Sequence, residues 1–368
     1  MNPFHGFLSG LKVVDLSLYL PGPLASLMLA DMGADVLKIE PPHGDDMESL
    51  GPRGANNEGL FYEAVNAGKT VRRLNLKAPD GRAALLAEID TADIFIEGFR
   101  PGVMAHLGLD PADMRIRNPR LITCAISGYG ATSPDAQLAG HDANYLAAAG
   151  VLHRNGSPPR FFDPPVADVA GSLFATIALL GALQGRTRTG QGCHIDLGLG
   201  DVPMMLQLFE LAGLRSRVTS PPPDSTYLNG GAAYYRIYRT ADGRHVALGA
   251  IERKFWHGFC TACGHPEWTE RQSEPLPQHA LIADVAAVLI TITLAECMHR
   301  FGLADCCLTP VLDLNEAVAT PHHRERRLLA ERQGTIQALF PAWFDGAPPH
   351  PRAPLQREKQ CRQDEERA

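Results

Sequence analysis

The chain opens on a strand, a helix and a second strand, a pattern that strongly limits the folds open to it. Residues 11–16 (LKVVDL) read as a first, buried strand and residues 35–40 (DVLKIE) as a second, and a Pro-Gly-Pro sequence at Pro21 starts the helix that Gly33 ends. Strands joined by a helix pair in parallel, with helices covering the sheet. The opening therefore predicts an α/β fold built on a Rossmann-like parallel sheet.

The alternation of strands and helices continues beyond this opening. We predict strands at residues 70–76, 93–97, 121–126 and 193–197, and a helix at residues 79–89. The Gly- and Pro-rich stretch at residues 41–69 reads as an excursion at the carboxyl ends of the strands, where open α/β sheets bind ligands. Since the first turn lacks a GxGxxG sequence, a dinucleotide site is poorly supported.

The length of the chain, 368 residues, predicts two domains, because single cores stop growing at roughly 250–300 residues. We expect a large α/β domain at 1–200, then a linker at 201–225 made of a helix (201–214) and a Pro-rich segment. A smaller α+β domain follows at 226–312. Residues 313–368 would return to the large domain and end in an extended arm with a charged, solvated or disordered tail.

The composition narrows the possible partners and location. A net charge of −7 argues against nucleic acid, whose phosphates attract clustered positive charge. We found neither a signal peptide nor a run of ~18 apolar residues, so no membrane contact and a cytoplasmic location are expected.

Cys260 and Cys263 have the spacing of a zinc or redox motif, but no second pair of ligands accompanies them. They are expected to pack on an amphipathic helix, and no metal site is predicted.

Two proton-transfer groups lie close to predicted helix starts. His141 begins a short helix, and Asp168 follows a Pro-Pro pair and opens a long apolar helix, through Leu183, that should be mostly buried. Free backbone N–H groups at that start could bind an anion such as an enolate oxygen. Taken alone, Asp168 could serve only as a helix cap and His141 only as a structural histidine.

Several sequence blocks in a fixed order carry a family resemblance. They include LKVVDLSLYLPGPLASLMLADMGADVLKIEPP, ADIFIEGFRPGVMAHLGL, AGHDANYL, VADVAGSLFA and CCLTPVLDLNEA. Together they cover the chain from about Leu11 to about Ala317. The sequence resembles CoA-transferase family III and, within it, the alpha-methylacyl-CoA racemases. An acyl-CoA thioester is the implied substrate, with no bound cofactor.

The resemblance assigns roles to three residues. In the racemases, a histidine matching His141 and an aspartate matching Asp168 face opposite sides of the acyl α-carbon, and a glutamate matching Glu252 pairs with the histidine. In the transferase branch, the aspartate matching Asp168 attacks the thioester, and the residue matching His141 is usually not histidine. Pro164 and Arg253 depart from the racemase pattern, which often has Asn and Pro at these places.

The resemblance also implies a CoA site and an assembly. Judged from the sequence alone, Arg100 would more often form a surface salt bridge than bind a ligand. Lys38 is a weaker candidate for CoA binding than Arg100. The expected CoA-binding residues are Lys38, Leu76, Lys77, Phe99, Arg100, Val103, Asn144 and Tyr145. An interlocked homodimer is implied, with the active site between the large domain of one subunit and the small domain of the other.

Three functions follow from these observations. The first is a racemase that inverts the α-carbon of a 2-methyl-branched acyl-CoA by two-base proton transfer. The second is a CoA-transferase that works through an acyl anhydride at Asp168. The third is an acyl-CoA binder without activity. His141, for which CoA transfer has no evident use, favours the first.

Overall fold

The computed structural model describes residues 2–54, 57–216, 220–332 and 335–358, which form two compact units. The first unit takes residues 1–149, 162–208 and 321–368, and the second takes 150–161 and 209–320. The second unit is thus larger than the small domain predicted at 226–312. Arg154 explains part of the difference, because it contacts Glu210 at 2.8 Å and donates to Thr226 Oγ1 at 3.3 Å, both in the second unit.

A parallel sheet of seven strands organises the first unit. Its strands are β1 Lys12–Asp15, β2 Asp35–Glu40, β3 Thr70–Arg73, β4 Ile94–Glu97, β5 Ile122–Ser127, β6 His194–Gly198 and, late in the chain, β12 Gln356–Arg357. They lie in the order β12-β3-β2-β1-β4-β5-β6, and every pair is parallel. The predicted α/β class and parallel sheet are confirmed. The chain reverses its direction of strand addition between β1 and β4, and this is where such sheets bind ligands.

Helices pack around this sheet. Those of the first unit are α1 Pro21–Asp31, α2 Leu60–Asn66, α3 Pro79–Ile89, α4 Val103–His106, α5 Pro111–Arg117, α6 Asp142–Ala148, α8 Val166–Thr189, α9 Val202–Leu206 and α15 Pro321–Arg326. An antiparallel pair of strands, β10 Leu329–Arg332 and β11 Thr335–Ala338, follows α15. The bounds of β2 and α3 agree with the sequence prediction.

The longest helix, α8, differs from its prediction in two ways. It begins at Val166 rather than at Asp168, and its buried residues form one face instead of most of its surface. Small residues such as Ala170 and Gly171 let it pack closely against α1 and over β5 and β6. Leu173 and Ile177, on the other face, are 47% and 63% exposed. Apolar composition alone did not show that half of this helix would face outward.

The membrane expectation also needs correction. Within the described ranges, α8 is long and apolar enough to span a membrane by length and composition, although the sequence was expected to contain no such run. Two further helices would pass the same test only together, across a bend of 106°. A core helix can pass this test as well, and α8 does pack on the sheet.

The second unit is a small α+β structure. Its antiparallel sheet consists of β7 Tyr235–Arg239, β8 His245–Gly249 and β9 Leu308–Pro310. Its helices are α7 Val151–Arg154, α10 Leu208–Gly213 (which begins one residue before the unit), α11 Arg253–Cys263, α12 His279–Leu289, α13 Leu294–Phe301 and α14 Leu314–Val318. Trp256, Phe259, Cys260 and Cys263 of α11 lie in its core. The two cysteines therefore pack as predicted, and burial raises the pKa of each thiol to about 12.

Two segments outside the main elements depart from expectation. The helix predicted at 201–214 is broken at Gln207, whose side chain donates to the Ala149 carbonyl at 2.9 Å. The predicted extended arm is partly regular, because β12 pairs with β3 at the edge of the sheet. The charged tail at 359–368, Met1 and part of the predicted linker (217–219) lie outside the described residues.

Candidate active site

A cavity of about 340 Å³ opens in the first unit beyond the carboxyl ends of β1, β4 and β5. The loop after β1 contributes Ser17 to Tyr19, and the loop after β4 contributes Phe99 and Arg100. His141, Tyr145 and Asp168 complete the wall at which chemistry could occur. Because β1 and β4 flank the switch point of the sheet, the topology itself places a ligand cavity here.

His141 is held at the start of α6 by its own backbone. Its N–H donates to Asn144 Oδ1 at 3.1 Å, one helical turn further on. Tyr145, which is buried, donates its hydroxyl to the Gly140 carbonyl at 2.7 Å, and burial raises the pKa of this phenol to about 12. Asn144 and Tyr145, two of the residues predicted to bind CoA, thus fix the turn that presents the imidazole to the cavity; Tyr145 borders the cavity and Asn144 does not.

Asp168 lies in the first turn of α8, and a second carboxylate caps that turn. Asp142 Oδ1 accepts hydrogen bonds from the backbone N–H groups of Ala167 at 2.6 Å and of Asp168 at 3.2 Å. Two of the N–H groups that were expected to be free for an enolate oxygen are therefore engaged by Asp142. They are already satisfied, so an oxyanion would need other donors around the cavity.

The surroundings of Asp168 favour its protonated form. Burial, first, and the nearby Asp142 carboxylate, second, raise the pKa of this carboxyl to about 6, while His141 opposes the shift. A group with a pKa close to neutral pH can both accept and return a proton. Asp168 is therefore suited to general acid and base work as well as to nucleophilic attack.

This shift predicts a pH-dependent gain in stability for Asp168→Asn. A carboxyl with a pKa higher in the folded chain than in the unfolded one makes folding less favourable as pH rises from about 4 through about 6. Asparagine removes this cost, so we expect the free energy of unfolding to rise by about 1 kcal/mol at pH 8, with solvent screening allowed for, and to change little at pH 4. Urea titrations at both pH values measure it. The exposed Asp163→Asn variant is the control, and an equal gain at both pH values would contradict the prediction.

A second prediction separates the charge of Asp142 from its role as a cap. Asp142→Asn keeps an oxygen acceptor for the α8 N–H groups but removes the negative charge that raises the pKa of Asp168. We therefore expect a lower pKa for Asp168, read by carbon-detected NMR titration of its carboxyl, with little change in stability. Asp142→Ala should lose the cap as well, at a cost of about 1 kcal/mol. An unchanged titration of Asp168 in the asparagine variant would contradict this assignment.

Phe99 and Arg100 reach the cavity through a turn fixed by a buried carboxyl. Glu97, at the end of β4, accepts the Phe99 N–H at 2.7 Å, and burial raises the pKa of Glu97 to about 7. The Arg100 guanidinium is exposed and donates to the Gln137 carbonyl at 3.3 Å. A guanidinium presented at a cavity rim can make paired contacts with phosphate oxygens.

The other predicted CoA-binding residues are not brought into this cavity. Lys38 is fully buried, with Nζ 3.1 Å from Asp45 and 2.7 Å from the Ser17 carbonyl, so its charge supports the loop after β1 instead of facing a ligand. Lys77 lines a separate depression with Arg82 and His106. Leu76 is partly buried and Val103 is exposed at the start of α4, and neither borders the cavity of His141.

Glu252, the third predicted catalytic residue, belongs to the second unit. It is exposed and precedes α11 as its N-cap. Its pairing with His141 stays a prediction.

Among the described residues, no group of three or more His, Cys, Asp or Glu side chains is arranged to hold a metal ion.

Sequence reasoning missed two residues of this site. Asp142 directly follows His141 in the GHD sequence, but only the fold shows that it reaches the start of α8. Tyr19 stands in the loop after β1, with its ring centroid 6.4 Å from that of His141. The position of Asp142 next to His141 was a sequence signal for its role, whereas nothing in the sequence places Tyr19 beside the imidazole.

The fold and cavity define an α/β protein that presents a carboxyl and an imidazole to one ligand site, and comparison with known proteins supplies the family. The profile of CoA-transferase family III matches residues 8–355. The chain therefore belongs to CoA-transferase family III. The resemblance seen in the sequence is confirmed.

Relatives in this family carry out two different reactions. The chain is 36% identical to a human alpha-methylacyl-CoA racemase over 87% of its length and 81% of the relative's. It is 40% identical to a succinate–glutarate CoA-transferase of Agrobacterium fabrum over 91% and 87%, respectively. A crystal structure of a CAIB/BAIF family protein from Brucella suis matches with a TM-score of 0.82 at 27% identity, covering 95% of this chain and 96% of that one. The protein is thus an enzyme of the racemase and transferase superfamily.

Proposed function

We propose that the protein is a racemase that inverts the α-carbon of a 2-methyl-branched acyl-CoA. The observation that carries this proposal is that His141 and Asp168 line one cavity at the switch point of the sheet. Inversion needs one group to remove the α-proton and another to return a proton from the opposite face. An imidazole and a carboxyl with a raised pKa can fill these two roles.

Each turnover transfers two protons, so that one of the two groups, His141 or Asp168, ends with a proton that the other has lost. In one direction, His141 accepts the α-proton, the electrons form an enolate with the thioester carbonyl, and protonated Asp168 supplies a proton to the other face. In the reverse direction, Asp168 is the base and the imidazolium is the acid. The pKa of about 6 keeps the Asp168 carboxyl able to act in both senses near neutral pH.

CoA would provide the binding energy that positions the reacting end. Arg100, at the rim of the cavity, is the cation best placed there to meet a phosphate. Remote contacts of this kind help to orient the α-carbon between the two groups. The proposed reaction needs no resident cofactor, because the CoA thioester is itself the activated substrate.

Deuterium exchange tests the proposal. A single stereoisomer of a 2-methylacyl-CoA is incubated with the enzyme in D₂O, and both configuration and mass are followed. Racemisation with one α-deuterium per inversion is the expected result. Acyl exchange onto an added carboxylic acid, without α-deuterium, would overturn the proposal in favour of CoA transfer.

A family III CoA-transferase is the second candidate, supported by the 40% identity to a transferase. Asp168 would attack the thioester, release CoA thiolate and carry the acyl group as an anhydride. Hydroxylamine added with acyl-CoA would then convert Asp168 to its hydroxamate, which mass spectrometry of the intact chain and its peptides detects. An unmodified Asp168 in an enzyme that exchanges α-deuterium would exclude this route.

We further propose a homodimer in which Glu252 of the partner subunit orients His141. The first unit leaves the large apolar residues Leu173, Ile177 and Met205 exposed, and this supports self-association because exposed apolar surface often marks an interface. Mixing His141→Gln chains with Glu252→Gln chains tests the sharing of sites. One intact site per mixed dimer should restore activity, whereas two sites each contained in one subunit would leave the mixture inactive.

A further inference from the structure

Tyr19 has an unusual backbone for a bulky residue. It follows Ser17 and Leu18 in the loop after β1, and its φ of 63° lies in the left-handed region that non-glycine residues rarely adopt. Strain of this kind persists only where surrounding contacts impose it, and it is concentrated at functional sites. The contacts of the loop therefore show what the strain achieves.

Buried charges fasten the loop immediately before Tyr19. Asp15 Oδ1 accepts the Ser17 N–H at 2.9 Å, and Lys38 Nζ donates to the Ser17 carbonyl at 2.7 Å. Lys38 in turn lies 3.1 Å from Asp45, and the side chains of both residues are fully buried. The chain thus reaches Tyr19 from a rigid base.

A second contact holds the far end of the side chain. The Tyr19 hydroxyl donates to Asp46 Oδ2 at 3.0 Å, and Asp46 directly follows the carboxylate that pairs with Lys38. Backbone and hydroxyl are therefore tied to the same excursion after β2. The side chain is 41% exposed and this hydrogen bond faces solvent, so the fastened backbone is what mainly sets the position of the ring.

The ring fixed in this way meets the imidazole of His141. Their centroids are 6.4 Å apart, the planes are inclined by 80°, and both residues line the same cavity. Edge-to-face aromatic pairs of this geometry are attractive. His141 itself is exposed at the start of α6, so the ring limits the orientations open to it.

We propose that Tyr19 is a positioning residue whose ring holds the His141 imidazole in the orientation needed to exchange a proton with the substrate α-carbon. The proposal rests on the proposed racemase function and deepens it. Tyr19 acts on one of the two proton carriers only, because its ring contacts His141 and its hydroxyl is engaged with Asp46. Removal of the Tyr19 ring should therefore slow proton exchange of one substrate stereoisomer more than that of the other.

The test compares Tyr19→Asn with Tyr19→Phe. Asparagine removes the ring yet tolerates a positive φ, so the loop should keep its course. Phenylalanine keeps the ring and removes only the hydroxyl. Each variant is given each pure stereoisomer in D₂O, and α-deuterium uptake is measured before inversion accumulates.

We expect Tyr19→Asn to slow exchange of the stereoisomer that gives its proton to His141 by roughly ten- to a hundred-fold, as small misplacements of a catalytic group do. The fall should be in kcat with KM unchanged. Exchange of the other stereoisomer, which uses Asp168, should stay near wild type and thereby report an intact fold. Tyr19→Phe should retain most exchange of both stereoisomers.

Equal slowing of both stereoisomers, or no slowing of either, would overturn the proposal. Selective slowing in Tyr19→Phe equal to that in Tyr19→Asn would also overturn it, because the hydroxyl would then carry the effect. A wild type that exchanges neither stereoisomer would refute the proposed racemase function. That failure is visible before any variant is made.

Discussion

The Asp168→Asn enzyme is expected to lose racemisation by about 10²–10⁴-fold, the usual contribution of a general acid or base. Asparagine matches the carboxyl in size but has no proton to give at neutral pH. KM for the acyl-CoA should change little, because the proposed role of Asp168 is at the α-carbon. The measurement is the rate of inversion of a pure stereoisomer, followed by chiral chromatography of the released acid.

Deuterium uptake by the same variant gives a sharper result. The stereoisomer whose proton passes to His141 should still exchange in D₂O, since removal and return on one face need only that group. The other stereoisomer should exchange no faster than solvent alone allows. Asp163→Asn, an exposed carboxylate shortly before α8, serves as the matched control and should keep full activity. Loss of exchange for both stereoisomers would contradict a two-base reaction.

The His141→Gln enzyme should show the converse pattern. Racemisation is expected to fall by a similar factor of about 10²–10⁴, because glutamine cannot carry the proton at its face of the α-carbon. Exchange should persist for the stereoisomer that uses Asp168. Inversion and deuterium uptake are measured as before, with initial rates for each stereoisomer.

This variant also distinguishes racemisation from CoA transfer. An acyl-aspartyl route needs the Asp168 carboxylate but has no evident need for the imidazole, so His141→Gln would leave transfer largely intact. His153→Gln, which replaces an exposed histidine of α7, controls for loss of an imidazole elsewhere. Full racemisation by His141→Gln would remove this residue from the mechanism.

The sheet could be predicted because its signals are local. Short segments such as 35–40 and 79–89 contain enough pattern to set an element and its ends, and both agree with the structure. The resemblance also named His141 and Asp168, which the fold brings to one cavity. Family and α/β class were therefore accessible from the sequence.

The electrostatic details were not accessible, because they depend on contacts between distant segments. Asp142 caps a helix that begins 24 residues later, and this contact removes the N–H groups expected to bind an oxyanion. Lys38 was a weaker candidate for the ligand because it lies toward the end of a strand, but it is buried, and Asp45 and the Ser17 carbonyl compensate its burial. Sequence spacing says nothing about either partner.

The late strand β12 has a consequence for how the protein is made. It pairs Gln356 with Thr70 of β3, and just before it Arg352 binds Asp31 at 2.7 Å. During translation, β3 emerges from the ribosome long before its outer neighbour exists, and its backbone edge can recruit strands of other nascent chains in the meantime. The outer edge of β3 is therefore covered only when residues 356–357 have been made and have docked beside it.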